Sequence, residues 1–360
     1  MGDESLYQGI LLANRFEVGG VESEGQFGFV FKGRDRLTNS DVAIKILKQG
    51  TDPGCQAEFL NEGILLDKLA PASHVVDLAG PPRNEETITL EHKGTSATIE
   101  FKFNYLVLEW MDGSIADLLP NRSELSWVQK LTLVRHIAKG VHQMHLREVY
   151  HRDMKCDNVL VRAARGSMYV VKVADLGRSR DAGKPAQFTP ESYVRGRGHL
   201  LYAPPELLWG LGAHNSKSLF RQADIYLIGS ALFEIVTGSS ITAMAFGDPL
   251  GIVRNSINLS DTERRLDFGA KINQTRALYQ PPLTFFEDLL PNNIKRDAVA
   301  LVRQLCDPDP SLRDYRAKQR TRRIDPGLDW LLNKIDILIR ISTVRTRPQS
   351  YRRTAGGDWK

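Results

Sequence analysis

Cysteine is scarce and dispersed in this chain. Cys55, Cys156 and Cys306 share no CxxC spacing, which excludes a disulfide framework or a cysteine-rich zinc site as the source of stability. A reducing cytosol fits that pattern. Nowhere does the chain hold the roughly eighteen uncharged apolar residues of a membrane span, and its most apolar window, 225–247, carries Glu234 near the middle. A helix buried in protein, followed by a loop, is expected there. The first residues lack the basic-then-apolar order of a secretory signal. Met1-Gly2-Asp3-Glu4-Ser5-Leu6 has leucine where a myristoylation site needs serine or threonine. Internal repeats and low-complexity tracts are also missing, so a cytoplasmic protein is the expectation.

What is present has the balance of an ordinary globular protein, with 42% hydrophobic and 25% charged residues in a chain of 360. The formal charge of +5 is unevenly spread, because residues 313–360 hold 13 Lys and Arg against 5 Asp and Glu. A basic end of this kind attracts an acidic partner or an anionic surface, or simply stays solvated, and no specific nucleic acid is expected.

Residues 16–21, 27–33 and 41–47 are short β-branched and aromatic runs separated by Gly, Asp and Asn, the pattern of an antiparallel meander. Residues 57–69 change to helical spacing, with Phe59, Ile64, Leu65 and Leu69 on one face. Alternating residues at 87–90 and 98–103 predict a hairpin around His92-Lys93-Gly94-Thr95, and 105–110 is a continuous apolar strand. Beyond Gly113 the chain turns helical, most clearly at 127–146, 221–237, 298–306 and 327–342.

The chemistry concentrates in His151-Arg152-Asp153-Met154-Lys155-Cys156-Asp157-Asn158. Asp153 can accept a hydroxyl proton, Lys155 can neutralise a moving phosphoryl group and Asn158 can hold a metal ion, all from one loop. Upstream, Ser23-Glu24-Gly25-Gln26-Phe27-Gly28-Phe29-Val30 is a glycine-containing turn whose amides can approach phosphate, and Val42-Ala43-Ile44-Lys45 places a lysine on an apolar strand. An ammonium there needs a partner. Downstream stand Asp175-Leu176-Gly177, Pro204-Pro205-Glu206, Asp224-Ile225-Tyr226-Leu227-Ile228-Gly229 and Asp307-Pro308-Asp309-Pro310-Ser311-Leu312-Arg313.

In this order, from about Phe16 to about Arg313, the segments resemble the protein kinase family, and the compact chain is similar to bacterial kinases of the eukaryotic-like type. The resemblance implies an α+β, two-lobed fold, with a small β-rich N-lobe bearing one main helix and a larger helical C-lobe. It divides the chain into an extension at 1–15, an N-lobe at 16–111, a C-lobe at 112–342 and a basic tail at 343–360. Its implied ligands are ATP and Mg2+, with Asn158 and Asp175 holding the metal. Asp153 is the implied catalytic base, Lys155 lies beside the γ phosphate, and Lys45 holds the α and β phosphates with Glu62 as its carboxylate and Glu58 as the fallback. Gly25, Gly28, Val30, Ala43, Glu109, Met111, Asp112 and Leu160 complete the nucleotide site. Leu108 stands as gatekeeper, the backbone of Glu109, Trp110 and Met111 holds the adenine edge, and Asp112 bonds the ribose.

Asp-x-Lys-x-x-Asn is the serine/threonine form of the loop, so protein Ser and Thr hydroxyls are the implied acceptors, the chain's own among them. Asp157 favours a basic residue before the phosphorylated one. Arg152 implies a phosphate on the activation segment, which contains Thr189, Ser192 and Tyr193 with Arg178, Arg180, Arg195 and Arg197 nearby; Thr189 is the first candidate and Ser192 the next. Two departures stand out. Ser23 replaces the first glycine and is expected to stiffen the turn, and His199 replaces the threonine that bridges the catalytic Asp and Lys, with its ring left to hydrogen-bond instead. The alternatives are a nucleotide-binding pseudokinase or scaffold, and a small-molecule kinase of the aminoglycoside type.

Overall fold

The computed structural model describes residues 4–25, 28–91, 98–164, 169–185, 199–211, 216–322 and 327–343. Its first part is a six-stranded antiparallel sheet. The strands are β1 (Leu11–Leu12), β2 (Phe16–Glu24), β3 (Gly28–Asp35), β4 (Ser40–Leu47), β5 (Asn84–Glu91) and β6 (Thr98–Glu109), in the order β1-β2-β3-β4-β6-β5. One helix, α1 (Pro53–Leu69), crosses it. The sequence pattern places that helix at 57–69. It begins at Pro53 because the Asp52 carboxylate caps the amides of Gly54 and Cys55, and proline is preorganised for the first helical position. Likewise, the apolar runs at 98–103 and 105–110 form one strand, β6, which pairs with β5 along its first part and β4 along its second.

The period of two along β4 sorts its side chains. Val42, Ile44 and Ile46 enter an aromatic cluster with Phe29, Phe31 and Phe103, whereas Ala43 and Leu47 pack with α1 residues Phe59, Leu65 and Leu66. The aromatic cluster is closed by Tyr7, only 1% exposed, whose ring stands edge-on to Phe103 at 5.0 Å. The described part of the N-terminal extension is therefore packed onto the lobe. Tyr7→Ala is expected to cost about 3 kcal/mol, as large aromatic truncations in cores do. Urea unfolding of the two proteins side by side checks this, and a loss below about 1 kcal/mol would refute the packing role.

The second part is helical: α2 (Trp127–His145), α3 (Pro205–Leu208), α4 (Lys217–Thr237), α5 (Ile241–Phe246), α6 (Leu250–Ser256), α7 (Asp261–Leu278), α8 (Gln280–Asp288), α9 (Lys295–Leu305), α10 (Tyr315–Thr321) and α11 (Asp329–Thr343). Short strands β7 (Gly113–Ser114), β9 (Val159–Ala163) and β10 (Tyr169–Val173) form a small sheet near the junction, and β8 (Val149–Tyr150) pairs with β11 (Arg180–Asp181). A capping box from Ser126 and Gln129 starts α2. Helix α4 is buried along its length from Phe220 to Thr237, as its apolar composition predicts, but α5 takes up 241–246 where a loop was expected, started by the Ser240 side chain accepting from the Ala243 amide. No described helix is long and apolar enough to cross a membrane. Helix α11 lies antiparallel to α2, fixed by the pairs Arg135–Asp336 and His142–Asp329 and by buried Leu331, Ile335 and Leu338.

Candidate active site

Cross-strand register builds the roof of the site. Val30 stands opposite Lys45, and Ala43 stands opposite Leu108, so these side chains share one face of the sheet. Gly28 pairs with Leu47, where an added Cβ would sit 2.4 Å from the Ile46 carbonyl oxygen, so glycine is demanded by the approach of β4. Ser23 does not stiffen a tight turn. It lies within β2, paired with Val30 at a negative φ that any residue adopts. Gly25 donates its amide to the Gly28 carbonyl at 2.8 Å, while Gln26 and Phe27 lie outside the described residues.

Lys45 Nζ is 2.6 Å from Glu62 Oε2 on α1 and 3.2 Å from Asp175 Oδ1, joining three segments remote in sequence. Burial disfavours the ammonium, but the charges of Asp175 and Glu62 outweigh it and hold the Lys45 pKa above its ordinary value. Lys45 in turn holds the Asp175 carboxyl below the usual carboxylate range, whereas burial pushes Glu62 up. Glu58, the fallback, instead faces Arg178 Nε at 3.7 Å.

The loop below is hung from α4. Asp224, with no exposed surface, accepts from the amides of His151 at 2.9 Å and Arg152 at 2.7 Å, and lies 2.8 Å from His145 Nε2. These bonds hold Arg152 at a φ of 67°, in the left-handed region that costs a residue with a Cβ on the order of 1 kcal/mol. Asp175 has a φ of 57° and is held by Lys45. His151 Nε2 reaches the Ala174 carbonyl at 3.0 Å, and Leu176 is fully buried among Leu65, Leu66 and Val149, so both brace the loop from within the core.

Asp153 is held at both oxygens. Oδ1 accepts the His199 amide at 3.0 Å, and Oδ2 lies 3.1 Å from Arg178 Nη1. The His199 ring does not take the bridging role; it stands edge-on to Tyr202 at 5.2 Å. Lys155 is paired with Asp157 at 3.4 Å, which leaves Asp157 less available to a basic substrate residue than the sequence implies. Asn158 donates Nδ2 to the Asp153 carbonyl at 2.8 Å, so its side-chain oxygen remains for a cation.

At the junction, Glu109 Oε1 meets Lys172 and the Asp77 amide, and Oε2 lies 3.6 Å from Arg162 Nη1. Lys172 also reaches Asp77 at 2.6 Å, a pairing that no local sequence signal announces. Among the described residues neither the amide nor the carbonyl of Met111 has a hydrogen-bond partner. Asp112 gives one carboxylate oxygen to the Ala163 amide at 2.9 Å. Leu160 and Ala43 border the apolar cluster around Leu108.

The Arg180 guanidinium donates to the carbonyls of Asp181, Lys184 and Pro185. Thr189, Ser192, Tyr193, Arg195, Arg197, Gly198 and the tail from 344 onward lie outside the described residues. Glu206 and Arg313 form an ion pair, two-pronged at 2.6 and 2.8 Å and without solvent exposure.

Among curated proteins, this chain is 31% identical over 234 residues to a probable serine/threonine-protein kinase of Clostridium perfringens, covering 64% of this chain and 30% of that protein. It is 28% identical over 248 residues to a probable cyclin-dependent kinase 9 of Caenorhabditis elegans, covering 66% and 48%. It is also 28% identical over 238 residues to a G-type lectin S-receptor-like serine/threonine-protein kinase of Arabidopsis thaliana, covering 65% and 26%. The matches thus span about a quarter to a half of those relatives. The model of the protein kinase domain matches residues 17–319. With that match laid over the lysine, the loop aspartate and the two-lobed frame, the chain belongs to the protein kinase family.

Proposed function

We propose that this chain is a serine/threonine protein kinase that transfers the γ phosphoryl of MgATP to Ser and Thr hydroxyls of proteins, its own activation segment included. The observation that carries the reading is the meeting of Lys45, Glu62 and Asp175 in one charged cluster beside the Asp153 loop. Asp153 takes the hydroxyl proton as the substrate oxygen bonds to the γ phosphorus and the bond from phosphorus to the bridging oxygen breaks, releasing ADP. Lys45 orients the α and β phosphates, and Lys155 offsets charge on the transferred group. The adenine edge meets the Met111 amide and carbonyl and the Glu109 carbonyl, between Val30, Ala43 and Leu160, and the second oxygen of Asp112 serves the ribose. Gly25 and Gly28 keep the turn above the phosphates free of side chains.

The donor set suits magnesium, a hard cation that takes one or two carboxylates and fills its shell with phosphate and water. Asn158 offers its uncommitted side-chain oxygen, and Asp175 has one oxygen beyond the one on Lys45. When bound, the ion would supply positive charge against that of the phosphates.

Serine and threonine as acceptors rest on Asp153-x-Lys155-x-x-Asn158 and on the names of the relatives. The same reading places the N-lobe at 16–111 and the C-lobe at 112–342, keeps the protein in the cytoplasm, and leaves the basic tail to an acidic partner. Incubation with γ-labelled ATP, followed by hydrolysis to phosphoamino acids, tests it. Label is expected on phosphoserine or phosphothreonine, and none with Asp175→Asn. Label confined to phosphotyrosine, or no label with any divalent ion, would overturn the reading.

A further inference from the structure

Arg178 follows the Asp175-Leu176-Gly177 triplet, and its guanidinium lies between two carboxylates that come from different lobes. Nη1 is 3.1 Å from Asp153 Oδ2, and Nε is 3.7 Å from Glu58 Oε2. Glu58 is 5% exposed, and the Asp153 side chain is 11% exposed. A carboxylate as buried as Glu58 pays heavily for an absent partner, and a guanidinium donates in a fixed, planar fork where an ammonium is a compact point charge.

The contact belongs to a wider seam along one face of α1. Glu58, Asn61 and Glu62 have the i, i+3, i+4 spacing that aligns side chains on a helix. Asn61 donates to the Gly177 carbonyl at 3.2 Å and the Ser179 carbonyl at 3.1 Å, and Glu62 takes Lys45. Lys68, further along the helix, pairs with Asp181 at 2.7 Å. From this seam the Arg178 guanidinium reaches Asp153. Lys155, the cation expected to serve the reacting groups, is drawn to Asp157, and residue 199 contributes a backbone amide where a bridging side chain was expected.

We propose that Arg178 is a positioning residue: it fixes the rotamer of the Asp153 carboxylate and ties it to the seating of α1 through Glu58. The inference rests on Asp153 being the base of the proposed reaction. Orientation at this scale matters, because a reacting group misplaced by about 1 Å can lose on the order of 100-fold in rate. The Arg178 charge acts on Asp175 more weakly than those of Lys45 and His151 do, so its removal should fall mainly on turnover and only slightly on ATP affinity.

The experiment is a double-mutant cycle on the full chain, with kcat and peptide KM measured at saturating ATP and ATP affinity measured by titration. Arg178→Ala, and Arg178→Met as the variant that keeps the aliphatic stem, are expected to lower kcat by roughly 10- to 100-fold with ATP affinity within about twofold. Arg178→Lys should recover only part of the rate, since it loses the fork. Glu58→Gln should lower kcat by about tenfold alone and have little further effect beside Arg178→Met. Overturning results are an unchanged kcat in Arg178→Met, a raised kcat, which would make Arg178 a block on the base, or full multiplication of the two losses. A wild-type chain that transfers no phosphate would sink the proposed function itself; an active wild type with an equally active Arg178→Met sinks only this inference.

Discussion

Asp153→Asn should lower kcat for phosphoryl transfer by about 1,000-fold while leaving ATP affinity within roughly threefold, the middle of the range for removing a general base. The replacement is nearly isosteric, so packing around the loop is preserved. Its amide cannot take the hydroxyl proton. It also brings donors into a position where the carboxylate accepts from the His199 amide and lies against Arg178, so one of those two contacts must be lost. Lys45, Glu62 and Asp175, which gather the charge for the phosphates, are untouched. Steady-state kinetics with a peptide acceptor and an independent nucleotide titration separate the two effects. Residual turnover within tenfold of wild type would show that Asp153 is not the base.

Arg313→Met should destabilise the helical lobe by about 3–5 kcal/mol, the cost of leaving one member of a buried ion pair alone. Arg313 donates to both oxygens of Glu206, and further to the carbonyls of Gln222 and Asp307. Its removal strands a carboxylate with no exposed surface and frees two carbonyls at once. The companion Glu206→Gln in the same chain should return part of the loss, because the stranded charge is then gone. Urea unfolding monitored through the C-lobe tryptophans reads the shift. A change below about 1 kcal/mol, or no recovery in the double variant, would contradict a structural role for the pair.

The residues found from sequence are those whose chemistry dictates both type and spacing. Asp153, Lys155 and Asn158 share one loop, and Lys45 announces itself as a cation on an apolar strand. Glu62 is preferred to Glu58 through the resemblance, since Phe59-Leu60-Asn61-Glu62 followed by Leu65, Leu66 and Leu69 is similar to the family's helix pattern, and it lies 2.6 Å from Lys45. What escaped was long-range and carried by ordinary residues. Asn61 clasps two carbonyls more than a hundred residues away, and Lys172 neutralises Glu109 and Asp77 across the junction. Tyr7 closes a core from a segment without periodicity.

The two departures were legible as letters but not as geometry. Ser23 sits where the strand is extended, so the missing glycine has no conformational cost there. His199 meets Asp153 through its backbone amide, a group every residue except proline possesses, so the identity of the side chain says little about that bond. Helix starts are marked in the sequence by their caps more than by apolar periodicity. Asp52-Pro53 and Ser260 with Glu263 carry the capping signals of α1 and α7, whereas apolar periodicity begins later in the first and is weak in the second.

Equilibrium titration of ATP with and without magnesium, on wild type and on Asp175→Asn, bears most directly on the claim that these remote groups form one phosphate-and-metal site. Tighter binding to wild type when magnesium is present, with that gain lost in Asp175→Asn, is the predicted result. Affinity indifferent to magnesium, or a gain equally large in the variant, would contradict it.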